Sequence, residues 1–123
     1  MATSAVQAAP SVVNVFTFIT AMTVPIDTSA DSAARYYLVS LRALFQNTGA
    51  ASSQELEVRI DGTQVWLRSQ WENSNQIATD FFRVSLTPGV HSLQWRHRLR
   101  TGSAGATGTV ANGLVVVEPL NLV

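Results

Sequence analysis

Residues 81–118 read FFRVSLTPGVHSLQWRHRLRTGSAGATGTVANGLVVVE, which parses as strand, tight turn, strand, glycine-rich loop, strand. Phe82, Val84 and Leu86 share one side of the first run, and Leu93, Trp95, His97 and Leu99 share one side of the second. A period of two is what a half-buried strand requires, because successive side chains leave the pleat on opposite faces. Pro88-Gly89 separates the runs. Proline fixes φ at the second position of a turn, and glycine takes the positive φ that follows it.

The same signals continue toward the N-terminus. In Glu55 to Arg68, Leu56, Val58 and Ile60 alternate with Glu55, Glu57 and Arg59, and Asp61-Gly62 then supplies the pair a type I′ hairpin turn prefers. Trp66 and Trp71 fall on the return limb or just beyond it, and Asn73 to Gln76 is the next turn. Arg35 to Phe45 satisfies two periods at once. Leu38, Leu41, Leu44 and Phe45 have helical spacing, while Tyr37, Val39, Leu41, Ala43 and Phe45 alternate as a strand; Tyr-Tyr and Val favour the strand. Gln46 to Ser53 has loop composition. Val12 to Thr20, VVNVFTFIT, is a further strand, apolar on both sides and so expected to be covered on both; Val24-Pro25 ends it, and Ile26 to Ala34 is a loop. Met1 to Ser11, small and apolar with Pro10 near its end, reads as an extended arm. The expectation is one domain, 12–123, preceded by an arm, 1–11. Its class is an all-β, antiparallel β-sandwich of about eight strands.

Composition narrows the role. With 123 residues the chain can close one core. Hydrophobic residues make up 46% and charged residues 13%, about half the usual charged share, so part of the surface is expected to be covered by something other than water. The formal net charge is zero, which removes any global attraction to nucleic acid or anionic lipid and favours association. All the Lys and Arg positions are Arg, which codon bias explains more simply than the suitability of Arg for bidentate contacts. Cysteine is absent, so no disulfide or thiolate metal site is available. The first cation is Arg35, and Val12 to Val24 is too short to span a bilayer; the chain is expected to be soluble, without a secretory leader or a membrane partner.

No catalytic or cofactor-binding pattern emerges, and the expectation is a non-enzyme. His91 and His97 share a strand face but lie about 20 Å apart at strand rise, too far to hold one metal. Ser103 in TGSAG lacks nucleophile-elbow spacing, and Gly102, Gly105 and Gly108 recur without the helix a phosphate loop needs. Glu55 and Glu57 alternate with core positions, so a solvated edge suits them better than a glycosidase pair. Arg96, Arg98 and Arg100 form a basic stripe opposite Trp95 and Leu99. Without aromatic platforms it is a poor nucleic-acid site and reads as a solvated face or a protein contact through carboxylates.

Two stretches carry a resemblance. Leu86-Thr-Pro-Gly-Val-His-Ser-Leu-Gln-Trp95 resembles the L-x-x-G-x-H-x-L segment of jelly-roll modules in tailed-bacteriophage virion proteins, and ANGLVVVE, Ala111 to Glu118, resembles their closing strand. Similar ends occur in C1q-like and tumour-necrosis-factor-like trimers. The resemblance covers about a third of the chain and implies a jelly roll, commonly a homotrimer. In a chain of this length it implies a capsid decoration, or cement, protein on the virion surface, made in the host cytoplasm. The implied partners are the major capsid protein and further copies of itself. The contact candidates are then Val6, Pro10, Val12 and Val13, by β-augmentation from the arm, with Arg96, Arg98 and Arg100. The alternative is a tail-fibre or tail-tip module that binds a receptor or glycan through Trp66 or Trp71.

Overall fold

Alternation settles the ambiguous segment as a strand. Arg35–Thr48 buries Tyr37, Val39, Leu41, Ala43 and Phe45 and turns Tyr36, Leu38, Ser40, Arg42 and Leu44 outward, so the leucines that mimic a helix are divided between two faces. In this computed structural model, which describes residues 4–7, 11–14, 16–49, 53–71, 75–101 and 106–120, the described residues form strands and turns and no helix. The strands are β1 (Ser4–Gln7), β2 (Ser11–Val13), β3 (Ile19–Asp27), β4 (Arg35–Thr48), β5 (Ser53–Ile60), β6 (Thr63–Trp71), β7 (Asn75–Leu86), β8 (Val90–Thr101) and β9 (Thr107–Pro119).

Their pairing is nested. β5 pairs with β6, β4 with β7, β3 with β8, and β1 and β2 with β9, all antiparallel, as in one long hairpin. That hairpin is rolled so that β4 also meets β9 and β5 also meets β8. The result is two sheets, β1/β2-β9-β4-β7 and β3-β8-β5-β6, with most connections passing from one sheet to the other. This is the antiparallel sandwich of jelly-roll type. β1 and β2 keep one register on β9, Ser4 opposite Val117 and Ser11 opposite Val110, and act as a single edge strand in two pieces. In the β5–β6 turn both Asp61 (φ 52°) and Gly62 (φ 83°) take positive φ, as a type I′ turn demands.

Two sequence expectations change. Val12 to Thr20 is not one strand: β2 ends at Val13, bends follow at Phe16 and Thr17, and β3 starts at Ile19, because the chain crosses between sheets there. Nor does Pro25 end β3, which runs on to Asp27 with Pro25 opposite Ser92. β3 is an edge strand, and an edge tolerates a residue that donates no hydrogen bond.

The core lies between the sheets. Phe45 of β4 and Trp95 of β8 meet edge to face across it, with ring centroids 6.2 Å apart and planes at 61°. Met22, Val24 and Ile26 from β3, Leu56, Val58 and Ile60 from β5, and Val110, Val115 and Val117 from β9 complete it. One polar tie crosses the same space. His97 Nδ1 donates to Gln54 Oε1 at 3.2 Å, and Gln54 Nε2 donates to the Thr109 carbonyl at 3.2 Å, joining β8 and β5 to β9. Gly108 makes room for this, since a Cβ there would stand 3.1 Å from the Gln54 amide. His97 is fully buried.

His91 has the opposite environment. Its Nδ1 lies 2.6 Å from Asp61 Oδ2 and its Nε2 2.7 Å from the Thr87 carbonyl. Both partners only accept, so both ring nitrogens carry protons and the cation ties the β5–β6 turn to the β7–β8 turn. The bond to Asp61, then that to Thr87, raises the His91 pKa.

Burial lowers the His97 pKa from 6.5 to about 4. A base with a depressed folded pKa is protonated more readily in the unfolded chain. Stability is therefore expected to fall as pH drops from 6.5 to 4, by about 3 kcal/mol for this residue. His91, with its raised value, acts in the other direction: its contribution is complete below pH 6.5 and is lost as pH rises through its folded pKa. Urea denaturation should show a smaller loss between pH 6.5 and 4 in His97→Gln and a smaller loss as pH rises above 6.5 in His91→Asn.

Candidate interaction surface

The outer face of the four-stranded sheet carries an ionic ladder, with Leu67 exposed opposite Glu57. β5 is interior to its sheet, with β8 on one side and β6 on the other, so carboxylates on its outer face meet donors from both neighbours. Register sets Glu55 opposite Arg98 and Glu57 opposite Arg96. Arg98 donates to Glu55 Oε1 through Nε (3.1 Å) and Nη2 (2.6 Å). Glu57 Oε1 accepts from Arg96 Nη1 and from Arg59 Nε, each at 3.0 Å, and its Oε2 accepts from Gln64 Nε2 at 2.6 Å. Three donors enclose the Glu57 side chain, which has no exposed surface. The expectation of a solvated carboxylate edge is corrected on this point.

The basic stripe is correspondingly neutralised. Arg96 Nη2 also donates to the Phe18 carbonyl at 3.3 Å, and Phe18 lies under the Arg98 guanidinium, 4.4 Å from its ring centroid. The crossing from β2 to β3 therefore covers the stripe from above. Arg100, at the end of β8, is exposed. Among the other contact candidates, Val13 is in the core at 1% exposure, out of another protein's reach. Val6 lies opposite Val115 and Val12 opposite Thr109 on the β9 edge, while Pro10 lies outside the described residues. The structure thus brings Arg96 and Arg98 together with Glu55 and Glu57 but does not join them to the N-terminal candidates. Trp66 is half-buried and its indole N–H donates to Asp80 Oδ2 at 2.9 Å, so it serves the β6–β7 margin and is not a free platform for a sugar. Among the described residues no three His, Cys, Asp or Glu side chains converge as metal ligands.

The outer face of the other sheet is built differently. Ladder register places Val116, Ser40 and Phe81 in one row across β9, β4 and β7, with Glu118, Leu38 and Arg83 to one side of it. On the other side come Leu114, Arg42 and Thr79, then Ala111, Leu44 and Ile77. Phe81 is 71% and Ile77 65% exposed. Arg83 rests over the Tyr36 ring, 4.5 Å from its centroid, and Arg42 and Glu118 are exposed. A contiguous apolar surface with few charges marks an interaction site. Sequence reasoning missed it, although Leu38, Leu44 and Phe81, apolar residues at the polar phase of their strands, were the available signal.

No protein-family model and no characterised protein matches the sequence. The fold does have solved relatives. A chain of infectious bursal disease virus, Gx strain, is similar at TM-score 0.61 and 14% identity over 94% of this chain and 31% of that one. The Gt strain gives 0.58 and 16% over 95% and 33%. The insecticidal delta-endotoxin Cry8Ea1 from Bacillus thuringiensis gives 0.57 and 14% over 91% and 20%. This chain therefore spans between a fifth and a third of those proteins. At such identity the likeness is one of fold, a sandwich common to a virus and a toxin.

The ionic ladder is open to a direct test. Glu57→Ala leaves Arg96 and Arg59 without their shared acceptor and is expected to cost about 2 kcal/mol, less than for a fully buried pair because both guanidinium groups reach water. Glu57→Gln, which keeps an acceptor, should cost less. Urea midpoints of the two variants check the order.

Proposed function

We propose that this chain is a structural protein of a virus particle: a capsid decoration, or cement, protein that binds the assembled shell and stabilises it across subunit boundaries. The observation that carries the reading is the contrast between the outer faces. One carries its own ion pairs, with Leu67 exposed beside them, while the other leaves Phe81 and Ile77 exposed with no ion pair across them among the described residues, as suits a subunit meant to be buried in an assembly. The fold shared with infectious bursal disease virus and the resemblance of Leu86–Trp95 and Ala111–Glu118 to jelly-roll modules of virion proteins support it. The N-terminal residues 1–11 enter the proposal as the clamp: an edge strand held by a single ladder to β9 exchanges readily for a neighbouring capsid subunit's strand. Binding to the assembled shell and not to free subunits then adds stability by mass action.

The test is co-sedimentation with assembled capsids and, separately, with unassembled capsid protein. The chain is expected to pellet with shells alone and to raise the temperature at which they break. Deletion of residues 1–11 should abolish pelleting while leaving the sandwich folded by circular dichroism. Equal binding to free subunits, or none to shells, would overturn the reading.

A further inference from the structure

We infer that one internal water sits between the two sheets at the β6–β7 margin, where it accepts the Trp95 indole N–H and joins it to Asp80 and Arg68. The inference goes beyond the capsid role and does not depend on it.

The sandwich is open on this side. β7 ends one sheet and β6 the other, and no ladder among the described residues joins them. Register sets Asp80 opposite Leu41 and Arg68 opposite Leu56, both core residues, so each edge strand turns one charged side chain inward. Neighbouring inward positions hold Phe82 and Val84 on β7 and Trp66 on β6, which pack against the core. A charge at such a position needs polar partners. Asp80 has two of its own, since Oδ2 accepts from Trp66 Nε1 at 2.9 Å and Oδ1 from the Phe81 backbone N–H at 2.8 Å.

Three observations meet at this margin. Leu41, Phe45, Trp66, Arg68, Asp80 and Trp95 line a cavity of about 10 Å³, room for one water and not for two. Trp95 is 1% exposed, and its indole N–H, which can only donate, has no acceptor among the described residues. Left dry, that donor would carry the full cost of its desolvation. Arg68 and Asp80 border the same cavity, yet no direct ion pair joins them. Opposite charges held apart across a space of that size are the setting in which a water bridges them.

Water suits the three groups because it both accepts and donates. Its oxygen takes the Trp95 N–H and an Arg68 N–H, and one of its hydrogens goes to Asp80, a carboxylate with lone pairs left after Trp66 and Phe81. That makes three hydrogen bonds, the usual number for a buried water. An anion could accept from Trp95 and Arg68 but would face the Asp80 charge without a proton to offer it. An apolar occupant would leave the indole dry. The bridge extends the Trp66–Asp80 bond to Trp95, so β6, β7 and β8 are tied by polar contacts where backbone pairing stops.

Water-selective NOESY and ROESY spectra of the intact chain test the inference, with the Trp95 indole proton identified by its contact to the Phe45 ring. The expected result is a cross peak between that proton and water, of opposite sign in the two spectra, the mark of a water that stays bound longer than the molecule takes to tumble. Asp80→Leu removes the acceptor and fills its place with methyl groups, so the cross peak should be lost. Arg68→Met keeps an aliphatic stem without the donors and should weaken it. Circular dichroism reports whether each variant folds; if Asp80→Leu does not, Arg68→Met decides. No cross peak, a cross peak of the same sign in both spectra as chemical exchange gives, or one that the folded variants leave unchanged would overturn the inference.

Discussion

The edge-to-face contact of Trp95 with Phe45 is the constraint on which the two sheets depend, since one ring comes from β8 and the other from β4. Strands within a sheet are fixed by backbone hydrogen bonds, but the sheets meet through side chains. A large ring at the centre of each sets their separation and rewards alternation along every strand that faces it. The Gln54 amide then fixes how the sheets sit at one end, accepting from His97 and donating to the Thr109 carbonyl. Apolar packing tolerates sliding more readily than a directed hydrogen bond does, so this tie supplies register where Trp95 and Phe45 supply adhesion.

Once the inner faces are committed to the core, the chain spends its few charges unevenly. Glu55, Glu57, Arg59, Arg96 and Arg98 all lie on the outer face of the four-stranded sheet, where ladder register brings opposite charges together. The other outer face is left with Arg42, Arg83 and Glu118 among leucine, valine, isoleucine and phenylalanine. The few charges are thus unevenly placed, five on one outer face and three on the other.

What was legible in the sequence was local. The Asp61-Gly62 hairpin, the Pro88-Gly89 turn and the inward phase of β4, β7 and β8 all follow from neighbouring residues, and they suffice for an all-β sandwich. What was not legible depends on which strands become neighbours. Glu57 alternates like any solvent-facing residue, and only the placement of β5 between β8 and β6 surrounds it with Arg96, Arg59 and Gln64. The same holds for Pro25, harmless on β3 because β3 lies at an edge, and for the contact stripe, whose cations find partners some forty residues earlier in the chain. Leu38 and Leu44 show a different limit. Their helical spacing with Leu41 looked like a competing secondary structure, but it records a strand required to be apolar on both sides, one for its own core and one for a surface.

The free edges of the two sheets are guarded unequally. A sheet with bare edges pairs strand to strand without limit, so proteins that must stop at a defined assembly guard them. Here β3 carries Pro25, which offers no amide hydrogen to an incoming strand. On β7 the Asp80 carboxylate accepts the Phe81 backbone N–H at 2.8 Å, occupying one of the donors an added strand would use, while its other oxygen holds Trp66 of the facing sheet. The open side of β9 is taken by β1 and β2, which keep one register on it and are themselves the outer edge of the sheet. Of the four sheet edges, β3 and β7 thus resist an added strand, and β1 is the one that the proposed clamp exchanges.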